Sequence, residues 1–499
     1  MWLCHGASMN RVIGKMKALY WISLATALIA TAPLIGCGSS GKKPVIANLN
    51  SSTTPSSPIG LAIEINGSGF QSAPGKVIFT QNGIAATVTP AASAWSDTGI
   101  VAVVPTGNGT TSFTVPGTVT VTVKTSGGTS NGMSLALVQT VTFSPNNVTW
   151  TTTTSLPATL TGLRAVAVPA STTGSFVVVA GGYNGTSNVN TVYANTLATD
   201  GTVGASWTAI QAQPLPDTRA HHGMVIAHAG NSLVSAGSAF IYVIGGQANP
   251  ADTPGGTNTV YMSSVNLTTG SVGAWTSLTN TLPQPLVAPA VTLYNGHIYV
   301  VGGLTSSGAP SNTVYSAAVQ QDGTLSAWST STNPYPLSIA FGQAFGFGGN
   351  LYVLNGDMNA SSDPNAQSPG GIPDVRFASA HNGVVGTWTQ TQSTIKAHSK
   401  NDIWLAFGQI INAEGIYSGS PGSSELERSS INADATLASW NGITASVNQI
   451  GANVYNATTI VSPLQSPTGN PRFLLLGGQA FTSTTPGALS NKVYVNNAP

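Results

Sequence analysis

From Val141 onward the chain repeats itself with a period of about 50 to 65 residues, and this repeat constrains the fold more than any other feature. Each unit carries an apolar strand ending in a glycine pair, a loop, a Val-Tyr strand, an Asp-Gly-type turn and a tryptophan strand. The third unit shows every part: Ile298-Tyr299-Val300-Val301-Gly302-Gly303, then Asn312-Thr313-Val314-Tyr315, then Asp322-Gly323 leading to Trp328. Glycine pairs recur at Gly181-Gly182, Gly245-Gly246 and Gly477-Gly478, with altered versions at Asn355-Gly356 and around Gly419. Val-Tyr recurs at Val192-Tyr193, Val260-Tyr261 and Val493-Tyr494, and is replaced by Val375-Arg376-Phe377 in the fourth unit. Such a unit cannot bury its apolar face alone, so neighbours must stack.

The markers also fix how the array closes. Six tryptophans accompany the units: Trp150, Trp207, Trp275, Trp328, Trp388 and Trp440. Trp150 precedes the first glycine pair, whereas Gly477-Gly478 is followed by Val493-Tyr494 and no tryptophan. The two sets match only when read as a circle. The strand around Val148-Thr149-Trp150 is therefore expected to complete the sheet begun near Phe473-Leu474-Leu475-Leu476, which removes two open edges.

With these parts the segment 141–499 resembles kelch-type β-propellers, including the central domain of galactose oxidase. The resemblance implies a six-bladed propeller; seven blades is the alternative, if Gly246–Trp275 or Trp388–Trp440 conceals an extra hairpin.

Composition agrees with an all-β chain. Only 6% of the 499 residues are charged, against about 25% in ordinary domains. Exposed helix faces rely on Glu, Lys and Arg, so long helices are not expected. No nucleic-acid partner is expected, because phosphate binding needs a basic face.

The beginning of the chain reads as an address. Arg11, Lys15 and Lys17 precede an apolar run from Ala18 to Leu34, the layout of a secretory signal. Leu34-Ile35-Gly36-Cys37 resembles the lipobox of bacterial lipoproteins, which implies cleavage before Cys37 and a diacylglycerol on its sulfur. Residues 1–37 are thus expected to be signal and lipidation site, and 38–43 a flexible tether. The resemblance places the protein in the bacterial cell envelope, anchored to the membrane by lipid, at the outer membrane or cell surface. Cys4 falls in the removed part, so the mature chain keeps only Cys37 and has neither a disulfide nor a cysteine metal site. Losing three basic residues leaves 12 against 14 acidic ones, and no strong field to steer a charged partner.

Between residues 44 and 140, short apolar alternations are broken by Gly, Pro and Asn about every ten residues, as in a β-sandwich. Asn66-Gly67-Ser68-Gly69-Phe70, Trp95 before Ile100, Pro105, and Ser130-Asn131 resemble the IPT/TIG immunoglobulin-like domains. In this reading the glycines permit a tight turn and Phe70 plugs the sandwich. The module is expected to act as a spacer or a contact domain.

Catalytic readings find little support in the residues. The galactose oxidase resemblance would imply a tyrosine cross-linked to cysteine at copper, but only the lipidated Cys37 remains. A sialidase-like site would need an arginine triad, and the repeats lack the order of that family. Paired carboxylates for glycoside hydrolysis stay open, although Asp200, Asp322 and Asp434 are accounted for as turn residues. No cofactor and no metal is expected; adjacent His221 and His222 would point to opposite faces of a strand.

The densest polar group is Asp217-Thr218-Arg219-Ala220-His221-His222. By the kelch resemblance it joins the outer strand of one blade to the inner strand of the next and reaches the channel mouth. Arg164 is placed at the matching position, His398 and Lys400 at a comparable one, and Asp357 on the same rim. Arg164, Arg219, His222, Asp357 and Lys400 are thus candidate ligand-binding residues; alternatively, they hydrogen-bond loop carbonyls between blades. The expected function is a non-catalytic envelope lipoprotein whose propeller binds glycan or protein. The rival is a carbohydrate hydrolase or lyase with its site at the channel mouth.

Overall fold

The computed structural model describes residues 42–52, 55–139, 149–169, 175–366, 370–413, 415–417, 426–442, 454–462, 472–481 and 486–496. The signal, Cys37 and most of the tether lie outside them. Among the described residues the fold is all-β, with one short 3-10 turn at Ala92–Ala94.

Alternating valines, isoleucines and threonines build two facing sheets at the start. One sheet runs Val45–Leu49, Ala62–Ser68, Gly99–Val103; the other runs Ser56–Pro58, Met133–Val138, Gly117–Thr125, Lys76–Gln81, Ile84–Val88. Ile63, Ile65, Phe70, Val77, Phe79, Ile100 and Val121 close the space between them. Phe70 is fully buried, and its neighbour Gly67 admits no side chain, since a Cβ there would lie 2.0 Å from Val45 O. Trp95 donates its indole N–H to Phe70 O and Gln71 O, at 3.2 and 3.0 Å.

Six further sheets form the propeller. Their inner strands are Arg164–Val168, Gly223–His228, Ala290–Tyr294, Gln343–Phe347, Asp402–Ala406 and Thr458–Val461. Each packs against the next in that order, and the last packs against the first, so the ring is closed. The sixth blade joins both ends of the repeat region: Trp150–Thr152 pairs with Val493–Asn496 in the register Trp150↔Asn496, Thr152↔Tyr494. Among the described residues, Gly246–Trp275 holds one strand of the second blade, Val260–Ser264, and Trp388–Trp440 holds Asp402–Ala406, Gln409–Ala413 and Leu426–Ser430 of the fifth.

The tryptophans staple neighbouring blades. Indole N–H groups of Trp207, Trp275, Trp328, Trp388 and Trp440 donate to Thr154 O, Gln213 O, Asn280 O, Asn333 O and Gln392 O, at 2.9–3.2 Å. Each carbonyl follows the tryptophan of the preceding blade by four to six residues. Trp150 stacks instead on Trp404, with centroids 5.6 Å apart. At the turns, Asp200, Asp322 and Asp434 each accept the backbone N–H two residues on, at 2.8–3.0 Å, which satisfies the turn role and holds each carboxyl below its usual range.

The sandwich is docked on the propeller. Along Ala62–Ser68 the period of two sends Ile63 and Ile65 into the sandwich core and turns Ala62, Glu64 and Asn66 to the opposite face. There Ala62 and Val101 pack with Phe345, Phe347 and Tyr352 of the fourth blade. Gly348 N–H donates to Glu64 Oε1 at 2.8 Å, and Thr98 Oγ1 lies 2.9 Å from His381 Nδ1. Burial raises the Glu64 carboxyl above its ordinary value.

Candidate functional site

Two layers of residues define the upper end of the channel. The first comprises Gly162, His221, Ala288, Phe341, Lys400 and Asn456, each two residues before an inner strand. All six have positive φ, between 52° and 61°. This lets consecutive blades join through backbone bonds: His221 N to Gly162 O, Ala288 N to His221 O, Phe341 N to Ala288 O, Asn456 N to Lys400 O and Gly162 N to Asn456 O, at 2.7–3.0 Å. The link between Phe341 and Lys400 is the exception. There Gln343 Nε2 donates to Asn401 O at 2.7 Å, and Lys400 Nζ stands 4.5 Å over the Phe341 ring.

The second layer is the first residue of each inner strand: Arg164, Gly223, Ala290, Gln343, Asp402 and Thr458. Except for Ala290, these line an axial cavity of about 220 Å³. A second cavity of about 270 Å³ continues from it past Ala165 and Thr459, and a third of about 250 Å³ reaches Asn50, Ser51 and Glu64 of the sandwich. The channel thus ends against the sandwich.

Its upper mouth is crossed by the loop that leaves the fourth blade after Leu354. Asn365 Oδ1 lies 2.9 Å from His221 Nε2, and Lys400 Nζ donates to Pro364 O at 2.8 Å and to Ala366 O. Lys400 is buried, which lowers its ammonium to about 7 against the pull of Asp357 and Asp363. Burial also lowers His221 to about 3, so the ring is neutral at physiological pH.

The field of Asp357 reaches Lys400 under this strap, but the ammonium is bonded to the strap carbonyls and not to that carboxylate. Asp357 is buried; its Oδ1 accepts Asn359 N–H at 2.8 Å, while Oδ2 has no partner. Arg164 lies deeper, on the cavity wall. It opens its inner strand as Gly223 opens the next, so in register it matches Gly223 and not the Asp217–His222 group that precedes that strand.

Arg219 and His222 lie elsewhere, inside the blade packing. Arg219 is fully buried: it pairs with Asp217 Oδ1 at 2.6 Å, donates to Gly245 O at 3.0 Å and sits 5.1 Å over the Tyr261 ring. His222 packs against Gly181 and Gly246, buried, with neither ring nitrogen bonded. Loss of hydration lowers its pKa well below the ordinary range. His221 and His222 do diverge, one to the mouth and one between blades. His398, in the position equivalent to Arg219, lies 3.3 Å from Glu427. Sequence reasoning missed Gln343, Asp402 and Thr458; counting back from each glycine-pair strand to its hairpin partner would have aligned them with Arg164. Among the described residues no group of three or more His, Cys, Asp or Glu is placed to hold a metal ion.

The chain is 35% identical over 107 residues to Beta-scruin of Limulus polyphemus, a kelch-repeat protein. The match takes in 20% of this chain and 10% of the relative, so the chain spans about a tenth of the length of that curated protein. No family model matches. The match and the all-β structure together support a kelch-type binding module.

Proposed function

We propose that this chain is a non-catalytic lipoprotein of the bacterial cell envelope, whose propeller loops bind glycan or protein. The observation that carries the reading is how the charged candidates are used. Arg219 is spent on Asp217, Gly245 and Thr259 inside the blades, and His222 is enclosed between glycines. That leaves a loop face rich in Thr, Ser and Asn, the polar adaptable chemistry of a recognition surface. The lipobox resemblance at Leu34–Cys37 supplies the anchor, and the IPT/TIG resemblance the adjoining module.

The test is a glycan array, paired with cross-linking to envelope proteins, on the full chain. Saturable capture of a glycan or a defined protein supports the reading; turnover of a glycan would replace it with the hydrolase or lyase alternative. That alternative rests on Lys400, a buried amine at the channel mouth whose pKa burial lowers to about 7. Lipidation is checked by mass: the mature chain is expected to begin at Cys37 and carry a diacylglycerol that Cys37→Ala lacks.

A further inference from the structure

We propose that the axial cavity binds a small carboxylate, with Arg164 as its clamp. The inference deepens the binding-module reading, on which it rests, by naming a ligand class for the channel itself.

The argument begins with how arginines are satisfied in this fold. Arg219 and Arg376 each hold the carboxylate two residues earlier, Asp217 and Asp374, at 2.6 and 2.9 Å. Arg164 has only a 3.5 Å contact with Leu163 O, and no described carboxylate lies within ion-pair distance. A guanidinium presents five donors in a planar fork that matches a carboxylate. Drawn partly out of water with that fork unfilled, it is a cost that a ligand carboxylate removes.

The groups around it complete a site. Asp402 faces the same cavity without touching Arg164; burial raises its carboxyl above the ordinary value, and the field of Arg164 opposes that rise. Its oxygens accept the Ile403 and Thr459 N–H groups at 2.9 and 2.8 Å, which fixes the carboxylate in place. Gln343 is held by its bond to Asn401 O, leaving its own carbonyl oxygen to accept. A cation clamp thus faces two fixed acceptors across the axis, while Met224, Val291 and Phe345 supply an apolar wall. The fitting molecule carries a carboxylate at one end and hydroxyl or ammonium donors a few ångströms away. At about 220 Å³, the cavity holds roughly seven waters' worth of liquid at ~30 Å³ each, the scale of an amino acid or a sugar acid. The cavity below, which continues from it past Ala165 and Thr459, includes no residue of the sandwich in its described lining.

The experiment is calorimetric titration of the full chain with D-glucuronate, glycine and D-glucose. Binding of glucuronate or glycine with one site per chain, and none of glucose, is expected; which of the two binds tells hydroxyl from ammonium donors. Arg164→Gln is expected to weaken binding at least tenfold, and Arg164→Lys, which keeps the charge but not the fork, to weaken it as well. Should both variants fail to fold, arginine-labelled wild type gives the answer: one guanidinium resonance shifts with the carboxylate and not with glucose. Failure of both carboxylates to bind, or binding unchanged in a folded Arg164→Gln, overturns the proposal. Retained capture of glycan or protein in the array would show that only this inference had failed.

Discussion

At the scale of the residue, the scarce charges are used for structure before anything else. Arg219 illustrates this: its donors go to Asp217, Gly245 O and Thr259 Oγ1 inside the wheel. Arg219→Met keeps the bulk and removes the bonds, so it is expected to cost about 2 kcal/mol, the range for bonds to charged groups, read from urea unfolding. Glu64 makes the opposite case, a carboxyl whose burial raises its pKa despite bonds from Gly348 and Ser51. A raised carboxyl binds more protons in the folded state, so its contribution is most favourable below the unfolded value near 4.5 and falls as pH climbs toward the folded one. Glu64→Gln is expected to flatten this stretch: similar to wild type at pH 4, equal or more stable at pH 7. A variant that loses stability only at pH 7 would show that the ionised carboxylate is the favoured form.

At the scale of the element, the joints between blades matter more than the strands. The belt of left-handed residues links neighbouring blades, and Gly162 is its glycine member, with φ 61° and a would-be Cβ 2.6 Å from the His221 ring. Gly162→Ala is expected to cost roughly 1–2 kcal/mol from backbone strain, plus the displacement of His221, and to show as a lower melting temperature. The strands themselves were legible in the sequence, because apolar runs, glycine pairs and tryptophans recur with the period of the blades. The belt was not, since His221, Ala288, Phe341 and Lys400 share a conformation and no chemistry. The candidate site was legible only in part for the same reason. Lys400 and His221 are tied to the strap because a loop from the fourth blade crosses to the second and fifth, a long-range event without local signal. Arg164 is among the candidates the repeat points to, but its layer becomes visible only when strand starts are aligned in space.

At the scale of the whole molecule, a linear repeat has become a ring, and the ring rests on a sandwich buried on both faces of one sheet. Ala62, Glu64 and Val101 show why: they face the propeller while Ile63, Ile65 and Ile100 face the sandwich core. The channel therefore ends on the sandwich at one side and under the strap at the other. All of this depends on the sixth blade being made from both ends of the repeat region. Thr152 and Tyr494 are directly opposed across that joint, a spacing that suits a disulfide. With Cys4 and Cys37 replaced by Ser, the pair Thr152→Cys and Tyr494→Cys holds the only two thiols. Peptide mass mapping of the folded, oxidised protein is expected to find them joined within one chain, with a raised melting temperature. Two free thiols in a folded protein would contradict the closed wheel.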